Sequence, residues 1–144
     1  MALPKMSQPI KRELILLVED DPDDELFALR SFQKSQIEGD VVVVRDGAAA
    51  LDYLFGTGAY AGRDLSVMPT RIILDLSLPK LSGLEVLQRI KSDERTKSIP
   101  VTMLTGTNYQ VVTDQTLVHG AEACLMKPVT SEGLRQIAAK NAPV

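Results

Sequence analysis

Reactive side chains follow several of the short apolar runs in this sequence. Three acids, a hydroxyl and a lysine are placed in this way, at Glu19, Asp20, Asp75, Thr105 and Lys127. Neighbouring carboxylates bind hard divalent cations, whereas a hydroxyl and a lysine can bind the oxygens of a phosphoryl group. Whether these groups act together depends on the elements that carry the apolar runs.

The apolar runs are too short for core helices, and one consists only of valine, so we predict that they are β-strands. They are Leu14–Val18, Val41–Val44, Ile72–Leu74, Val101–Leu104 and Ala123–Met126. Segments with helical periodicity or helix-forming composition lie between them. The predicted helices run from about Pro22 to Gln36 (with Leu26, Leu29 and Phe32 on one face), from Ala48 to Phe55, through Leu84, Leu87 and Ile90, from Tyr109 to Val118, and through Leu134 and Ile137.

Strands that alternate with helices indicate βαβ units and a parallel sheet. We therefore predict an α/β fold with a doubly wound, five-stranded parallel sheet of the flavodoxin-like kind, in the strand order 2-1-3-4-5. Residues 1–12 are predicted to be a flexible tail and residues 13–144 a single domain. An unusually long connection, residues 56–70, contains three glycines and a proline. Connections of that length are often binding surfaces or mobile segments.

Composition excludes several classes of protein. The 144 residues are 44% apolar and 24% charged, with a net charge of −3 and a pI near 5.2. These values argue against a basic nucleic-acid-binding domain and against a polybasic membrane anchor. One cysteine and one histidine exclude an internal disulfide framework and make a zinc site improbable. No apolar run reaches the length of about 18 residues that a membrane span needs, so we expect a cytoplasmic protein.

The predicted strand order places the first and third strands side by side, with their carboxyl ends at one edge. Glu19, Asp20 and Asp75 would then crowd together, and like charges this close repel each other unless a cation lies between them. This oxygen-rich set suits Mg²⁺. We predict Asp20, Asp75 and the Ser77 carbonyl as direct ligands, with Glu19 acting through water.

Two alternatives compete with this interpretation. Asp75 taken alone is equally consistent with capping a turn or the following helix. The acids after Asp20 are typical of a helix start, with Asp21 as the N-cap, Pro22 at the first helical position, and Asp23 and Asp24 in the first turn. Lys127 fits either a structural ion pair or, together with Thr105, a pocket that binds phosphoryl oxygens.

Four motifs carry a resemblance to a known family. They are Val18-Glu19-Asp20-Asp21-Pro22, Asp75-x-x-Leu78-Pro79-x-x-x-Gly83, Leu104-Thr105-Gly106 and Lys127-Pro128. In order and spacing, this set resembles the receiver domains of two-component response regulators. The resemblance implies that Asp75 is the phosphoacceptor, that Thr105 is the switch hydroxyl, and that a cis peptide bond joins Lys127 to Pro128.

The same resemblance implies a function. A stand-alone response regulator would accept a phosphoryl group from a sensor histidine kinase, with Mg²⁺ bound, and would then switch its protein contacts. It would be a phosphoacceptor that promotes its own phosphorylation and dephosphorylation rather than an enzyme with a separate substrate. A homodimer through the fourth helix, fifth strand and fifth helix is expected. The connection at residues 56–70 further resembles small receivers that partner bacterial phytochromes, which makes a phytochrome the candidate kinase.

One position departs from the family pattern. Three residues before the lysine, where the family usually carries Tyr or Phe, this chain has Cys124. A thiol cannot fill the volume of an aromatic ring, so the usual coupling to the threonine is in doubt. Cys124 is therefore the main support for an alternative, in which the domain is an interaction module that works without phosphorylation.

Overall fold

The computed structural model describes residues 12–106 and 110–140. The strands are β1 (Glu13–Val18), β2 (Gly39–Val44), β3 (Arg71–Asp75), β4 (Val101–Thr105) and β5 (Ala123–Met126). The helices are α1 (Pro22–Ser35), α2 (Gly47–Phe55), α3 (Gly83–Ser92), α4 (Gln110–Val118) and α5 (Ser131–Lys140), with a short 3-10 helix at Gly58–Tyr60. The predicted tail up to residue 11, the predicted helix start at Tyr109 and the last four residues lie outside the described ranges.

The five strands form one sheet in the order β2-β1-β3-β4-β5, and every neighbouring pair is parallel. The predicted α/β class, flavodoxin-like architecture and strand order are therefore confirmed. Val18 of β1 pairs with Leu74 of β3, so these two strands end side by side. Every residue of β3 and β4 is buried, as expected for central strands covered on both faces.

Two apolar layers cover the two faces of the sheet. Alternate residues of a strand point to opposite faces, so Leu16 of β1 joins one layer and Leu17 joins the other. The first layer contains buried residues of α2 and α3, and the second contains Ala28 of α1 and Leu134 of α5. No helix in the described ranges is long and apolar enough to cross a lipid bilayer.

Helix α1 begins as the sequence predicts, but only part of its predicted apolar face is buried: Phe32 packs against the second layer. The Asp21 side chain caps the helix by accepting the backbone N–H groups of Asp23 and Asp24, at 2.8 and 3.1 Å from Oδ1. Leu26 was predicted to share a face with Leu29 and Phe32, yet it is 48% exposed. The most buried positions of this helix are the small residues Ala28, Ser31 and Ser35, because α1 lies close against α5.

The loop after β3 depends on a glycine at the start of α3. A Cβ atom at Gly83 would overlap the backbone carbonyl oxygen of Asp75. Only glycine therefore lets α3 start directly against the end of β3. Ser82 caps the helix by accepting the N–H of Glu85 at 3.2 Å. Together these residues determine the course of the loop that follows Asp75.

The long connection between α2 and β3 is folded onto α2. The Arg63 guanidinium lies 4.0 Å from the centre of the Tyr53 ring, and its Nε donates to the Tyr53 carbonyl at 2.7 Å. Tyr60 packs edge-on against the same ring, with the ring centres 5.2 Å apart. The connection is therefore an ordered part of the fold, and its anchor is Arg63, which the sequence interpretation did not single out.

A buried ion-pair cluster, which we call the amino-edge cluster, lies where the strands begin. Arg71 is 3% exposed, and its Nε lies 3.2 Å from Oε1 of Glu13. Its Nη1 lies 2.7 Å from Oε1 of Glu122. Residues of β1, β3 and the turn before β5 are thus joined across the sheet.

Candidate functional site

The carboxyl edge of the sheet brings together the acids that follow β1 and β3. Glu19 comes directly after β1, and Asp75 is the last residue of β3. Since β1 and β3 are paired neighbours, both side chains lie at the same point of the edge. Glu19 is 1% exposed and Asp75 is 2% exposed. Asp20 lies beside them and is exposed.

Lys127 lies among these acids, so the carboxylates meet one ammonium group. Its Nζ lies 2.7 Å from Oδ2 of Asp75, 2.9 Å from Oε1 of Glu19 and 3.0 Å from Oδ2 of Asp24. Burial by itself disfavours the charged ammonium, but the close carboxylates of Asp75, Glu19 and Asp24 outweigh it and raise the pKa of Lys127 above its usual value. Lys127 therefore stays charged. We call Glu19, Asp20, Asp24, Asp75 and Lys127 the carboxyl-edge cluster.

Asp24 is the member of this cluster that sequence interpretation missed. It was assigned to the first turn of α1, where it does lie, and was not expected to contact Lys127. Side chains in a helix tilt toward its amino terminus, so an acid in the first turn points back toward the preceding strand end. The position of Asp24 in the first turn of α1 was the sequence signal that could have predicted its contact with Lys127.

Three of the acids fit a divalent cation. Glu19, Asp20 and Asp75 each offer a carboxylate oxygen, and these oxygens all lie within 4.8 Å of one another. The Glu19 Oε1 atom is buried and, despite its short distance to Lys127, makes no hydrogen bond of good geometry within the described part of the chain. A buried oxygen in that state is suited to a cation. The residues present therefore fit a metal ion bound by oxygen ligands.

The electrostatics of Glu19 agree with that fit. Burial raises the pKa of this carboxyl group to about 7, and neighbouring Asp75 adds to the increase, while Lys127 and the Asp21 amide oppose it. An acid with this pKa is easily protonated near neutral pH when no metal is bound. A bound cation would favour its charged form instead.

The loop after β3 orients Asp75 through its backbone. The Ser77 N–H donates to Oδ1 of Asp75 at 3.0 Å, whereas Oδ2 receives the hydrogen bond from Lys127. The two carboxylate oxygens are thus held by different partners. The predicted role of the Ser77 carbonyl as a metal ligand stays a prediction.

Thr105 and Lys127 are brought together by adjacent strands. Thr105 ends β4, is 4% exposed, and accepts the backbone N–H of Lys127 at its carbonyl at 2.8 Å. The Lys127–Pro128 bond is cis, as the family resemblance implied. The groups that follow β1, β3, β4 and β5 therefore meet at one edge of the sheet.

Cys124 packs as a small apolar side chain. It lies in β5 opposite Met103 of β4, and it is partly buried against the layer that contains α2 and α3. Cys124 therefore packs as a small hydrophobic residue does. Tyr109, the first aromatic residue after Thr105 in the sequence, lies outside the described residues.

Comparison with known proteins identifies the family of this fold. The family model of the response regulator receiver domain matches residues 15–139. Response regulator Rcp1 of Synechocystis sp. is 41% identical over 93 residues, which are 65% of this chain and 61% of Rcp1. The solved Mn²⁺-bound form of Rcp1 has a TM-score of 0.73 at 31% identity and covers 89% of this chain and 90% of that one.

Two further solved structures are similar. The bacteriophytochrome response regulator RtBRR has a TM-score of 0.83 and 39% identity, over 93% of this chain and 80% of RtBRR. The phosphorylated cyanobacterial phytochrome response regulator RcpA has a TM-score of 0.74 and 34% identity, over 90% of this chain and 91% of RcpA. With its parallel sheet and its acidic edge, and with the family model matched over nearly its whole length, this chain belongs to the response regulator receiver domain family.

Proposed function

We propose that this protein receives a phosphoryl group on Asp75 from a histidine kinase and transmits the signal through altered protein contacts. The observation that carries the proposal is the position of Asp75, a buried carboxylate at a strand end that is hydrogen-bonded to Lys127 at 2.7 Å. The match to the receiver family and the similarity to phosphorylated RcpA support the same role.

The chemistry is a phosphoryl transfer between side chains. An oxygen of Asp75 forms a bond to the phosphorus of a phosphohistidine, and the phosphorus–nitrogen bond breaks. The electron pair of that bond stays on the imidazole nitrogen, which then takes a proton from water. Lys127 and the hydroxyl of Thr105 would bind the oxygens of the transferred group, because preorganised donors stabilise charge that develops there.

Mg²⁺ is the cation we propose for the acidic cluster. Glu19, Asp20, Asp75 and the Ser77 carbonyl would hold it, with Glu19 contributing through water. When bound, the ion would neutralise negative charge on the phosphoryl oxygens. The fit of the buried Glu19 oxygen and the Mn²⁺-bound form of Rcp1 support a metal at this place.

The partners are proposed from the relatives and from the surface. The similarity to RtBRR and RcpA makes a phytochrome kinase the proposed phosphodonor. Leu117 and Val118 of α4 and Met126 of β5 are large apolar side chains that are 44%, 82% and 54% exposed. Apolar exposure of this kind supports a homodimer through the face formed by α4, β5 and α5.

Phosphorylation is tested with purified protein, Mg²⁺ and radiolabelled acetyl phosphate. The wild type should gain one acid-labile phosphate per chain, because Asp75 is the only proposed acceptor. Asp75→Asn should gain none, since an amide oxygen is a poor nucleophile. Stoichiometric labelling of that variant would place the acceptor elsewhere. An unlabelled wild type would favour the phosphorylation-independent interaction module.

Gel filtration of the same samples tests the output. Phosphorylated wild type should elute earlier than unphosphorylated protein, because the proposed dimer face is biased by the phosphoryl group. A matched variant, Val118→Ser, keeps the site unchanged and removes an exposed apolar side chain from that face. If the wild type and Val118→Ser are labelled equally but the wild type elutes at the same position before and after phosphorylation, the proposed dimerisation is wrong. The role of Asp75 as phosphoacceptor would be unaffected.

A further inference from the structure

Asp24 contacts the cation of the site without being one of the acids that fit a metal. Its Oδ2 accepts a hydrogen bond from Lys127 Nζ at 3.0 Å. The group of possible metal ligands comprises Glu19, Asp20 and Asp75, and Asp24 is not among them. Its side chain is 39% exposed, whereas the side chain of Asp75 is 3% exposed. Asp24 therefore lies on the rim of the cluster, between Lys127 and the solvent.

The ammonium of Lys127 is already surrounded by carboxylates in this arrangement. An ammonium group has three N–H donors. Three carboxylates lie within 3.0 Å of Nζ, and Asp75 and Asp24 accept hydrogen bonds of good geometry. A phosphoryl group on Asp75 would be a further acceptor beside the same ammonium. One of the present contacts must weaken when that group binds Lys127.

We propose that Asp24 is a positioning residue that draws Lys127 toward α1 and competes with the phosphoryl group for it. This inference rests on the proposed phosphorylation of Asp75. Glu19 and Asp75 are buried, and each accepts a hydrogen bond from a backbone N–H group. The contact between Lys127 and the more exposed Asp24 is therefore the one that weakens. Its charge also repels an incoming phosphodonor, which is itself an anion.

Asp24 therefore slows the phosphorylation of Asp75. Asp24→Asn removes the charge but keeps the shape of the side chain, so it weakens the interaction with the Lys127 ammonium group. We expect the second-order rate constant for phosphorylation by acetyl phosphate to rise about threefold to tenfold, the effect of removing one partly exposed charge contact. The gain should come mainly from a lower half-saturating concentration of the donor.

Asp23 provides a matched control. It is exposed and lies in the same helical turn, and among the described residues it is not one of the three acids that pair with Lys127, so Asp23→Asn changes the net charge equally. Asp24→Glu keeps the carboxylate on a longer side chain. We expect Asp23→Asn and Asp24→Glu to stay within about twofold of the wild type. Urea unfolding of each variant verifies that the compared proteins are folded.

The experiment measures acid-labile phosphate against time, with saturating Mg²⁺ and a series of acetyl phosphate concentrations. Faster labelling of Asp24→Asn than of Asp23→Asn supports the competition. If both variants are labelled faster by the same factor, the effect is due to long-range charge and not to the contact with Lys127. If Asp24→Asn is labelled more slowly than the wild type, Asp24 assists the transfer. Either result overturns the inference. A wild type that takes up no phosphate overturns the proposed function itself, which is a different and recognisable outcome.

Discussion

The two edges of the sheet each hold a buried cation among carboxylates, but they are built for different purposes. At the amino edge, Arg71 meets Glu13 and Glu122, and Lys91 adds a second positive charge near Glu122. At the carboxyl edge, Lys127 is the cation of its cluster and faces four acids. The first cluster is balanced in charge, and the second has a large excess of negative charge.

The difference shows how a structural ion pair is distinguished from a site that does chemistry. The planar guanidinium of Arg71 donates to two carboxylates at once and is almost fully buried, so the amino-edge cluster is closed. The carboxyl-edge cluster leaves one buried oxygen of Glu19 without a good hydrogen bond and exposes Asp20 and Asp24. Such a cluster is suited to bind a further group, such as the proposed cation or phosphoryl group.

The largest effect on stability is expected when Arg71 is removed from the amino-edge cluster. Arg71→Met leaves two largely buried carboxylates without their cation, so the free energy of unfolding should fall by about 3–5 kcal/mol. Urea denaturation followed by circular dichroism measures this loss. Mg²⁺ should not restore it, because the amino-edge cluster is not built for an added ion. A loss below about 1 kcal/mol would show that the two clusters do not differ as described.

The next effect is a pH dependence confined to the carboxyl edge. Glu19 binds its proton more tightly in the folded state, where its pKa is about 7, than in the unfolded state, where it is near 4.5. In metal-free protein the free energy of unfolding should therefore fall as pH rises from 4.5 to 7. The contribution of Glu19 to that fall should be up to about 3 kcal/mol.

Glu19→Gln isolates this contribution. Urea denaturation in chelator at several pH values should give a smaller fall for the variant than for the wild type, since its side chain does not titrate. Identical pH profiles of the two proteins would contradict the raised pKa. Saturating Mg²⁺ should reduce the fall in the wild type, because a cation favours the charged carboxylate.

The smallest effect is expected from removing the cation of the carboxyl edge. Lys127→Met leaves Glu19 and Asp75 without their ammonium, but Glu19 can take up a proton and the site is open to water. We expect a loss of only about 1–2 kcal/mol in metal-free protein at neutral pH. Mg²⁺ should recover most of it, in contrast to Arg71→Met. A loss that Mg²⁺ leaves unchanged would mean that Lys127 is a structural residue of the same kind as Arg71.

Much of the fold could be predicted because its elements are marked locally. Apolar runs of three to five residues, separated by segments of helical periodicity, indicate a parallel sheet covered on both faces. The cap at Asp21 and the glycine at Gly83 are equally local signals. Burial within a helix was less predictable: Leu26 looked like a core residue, but α1 packs through small side chains, and the Ser31 hydroxyl donates to the carbonyl of Val129, in the loop before α5, at 2.6 Å.

The place of each reactive group at a strand end was determined by the sequence alone, because the apolar runs mark the strands and parallel strands end at a common edge. Only the tertiary structure decided which further groups join them. Asp24 reaches Lys127, 103 residues away in the chain, because the start of α1 and the residue after β5 lie at the same edge of the sheet. Arg71 meets Glu122 for the same kind of reason. Such contacts depend on how elements distant in sequence are oriented, and no local pattern encodes that orientation.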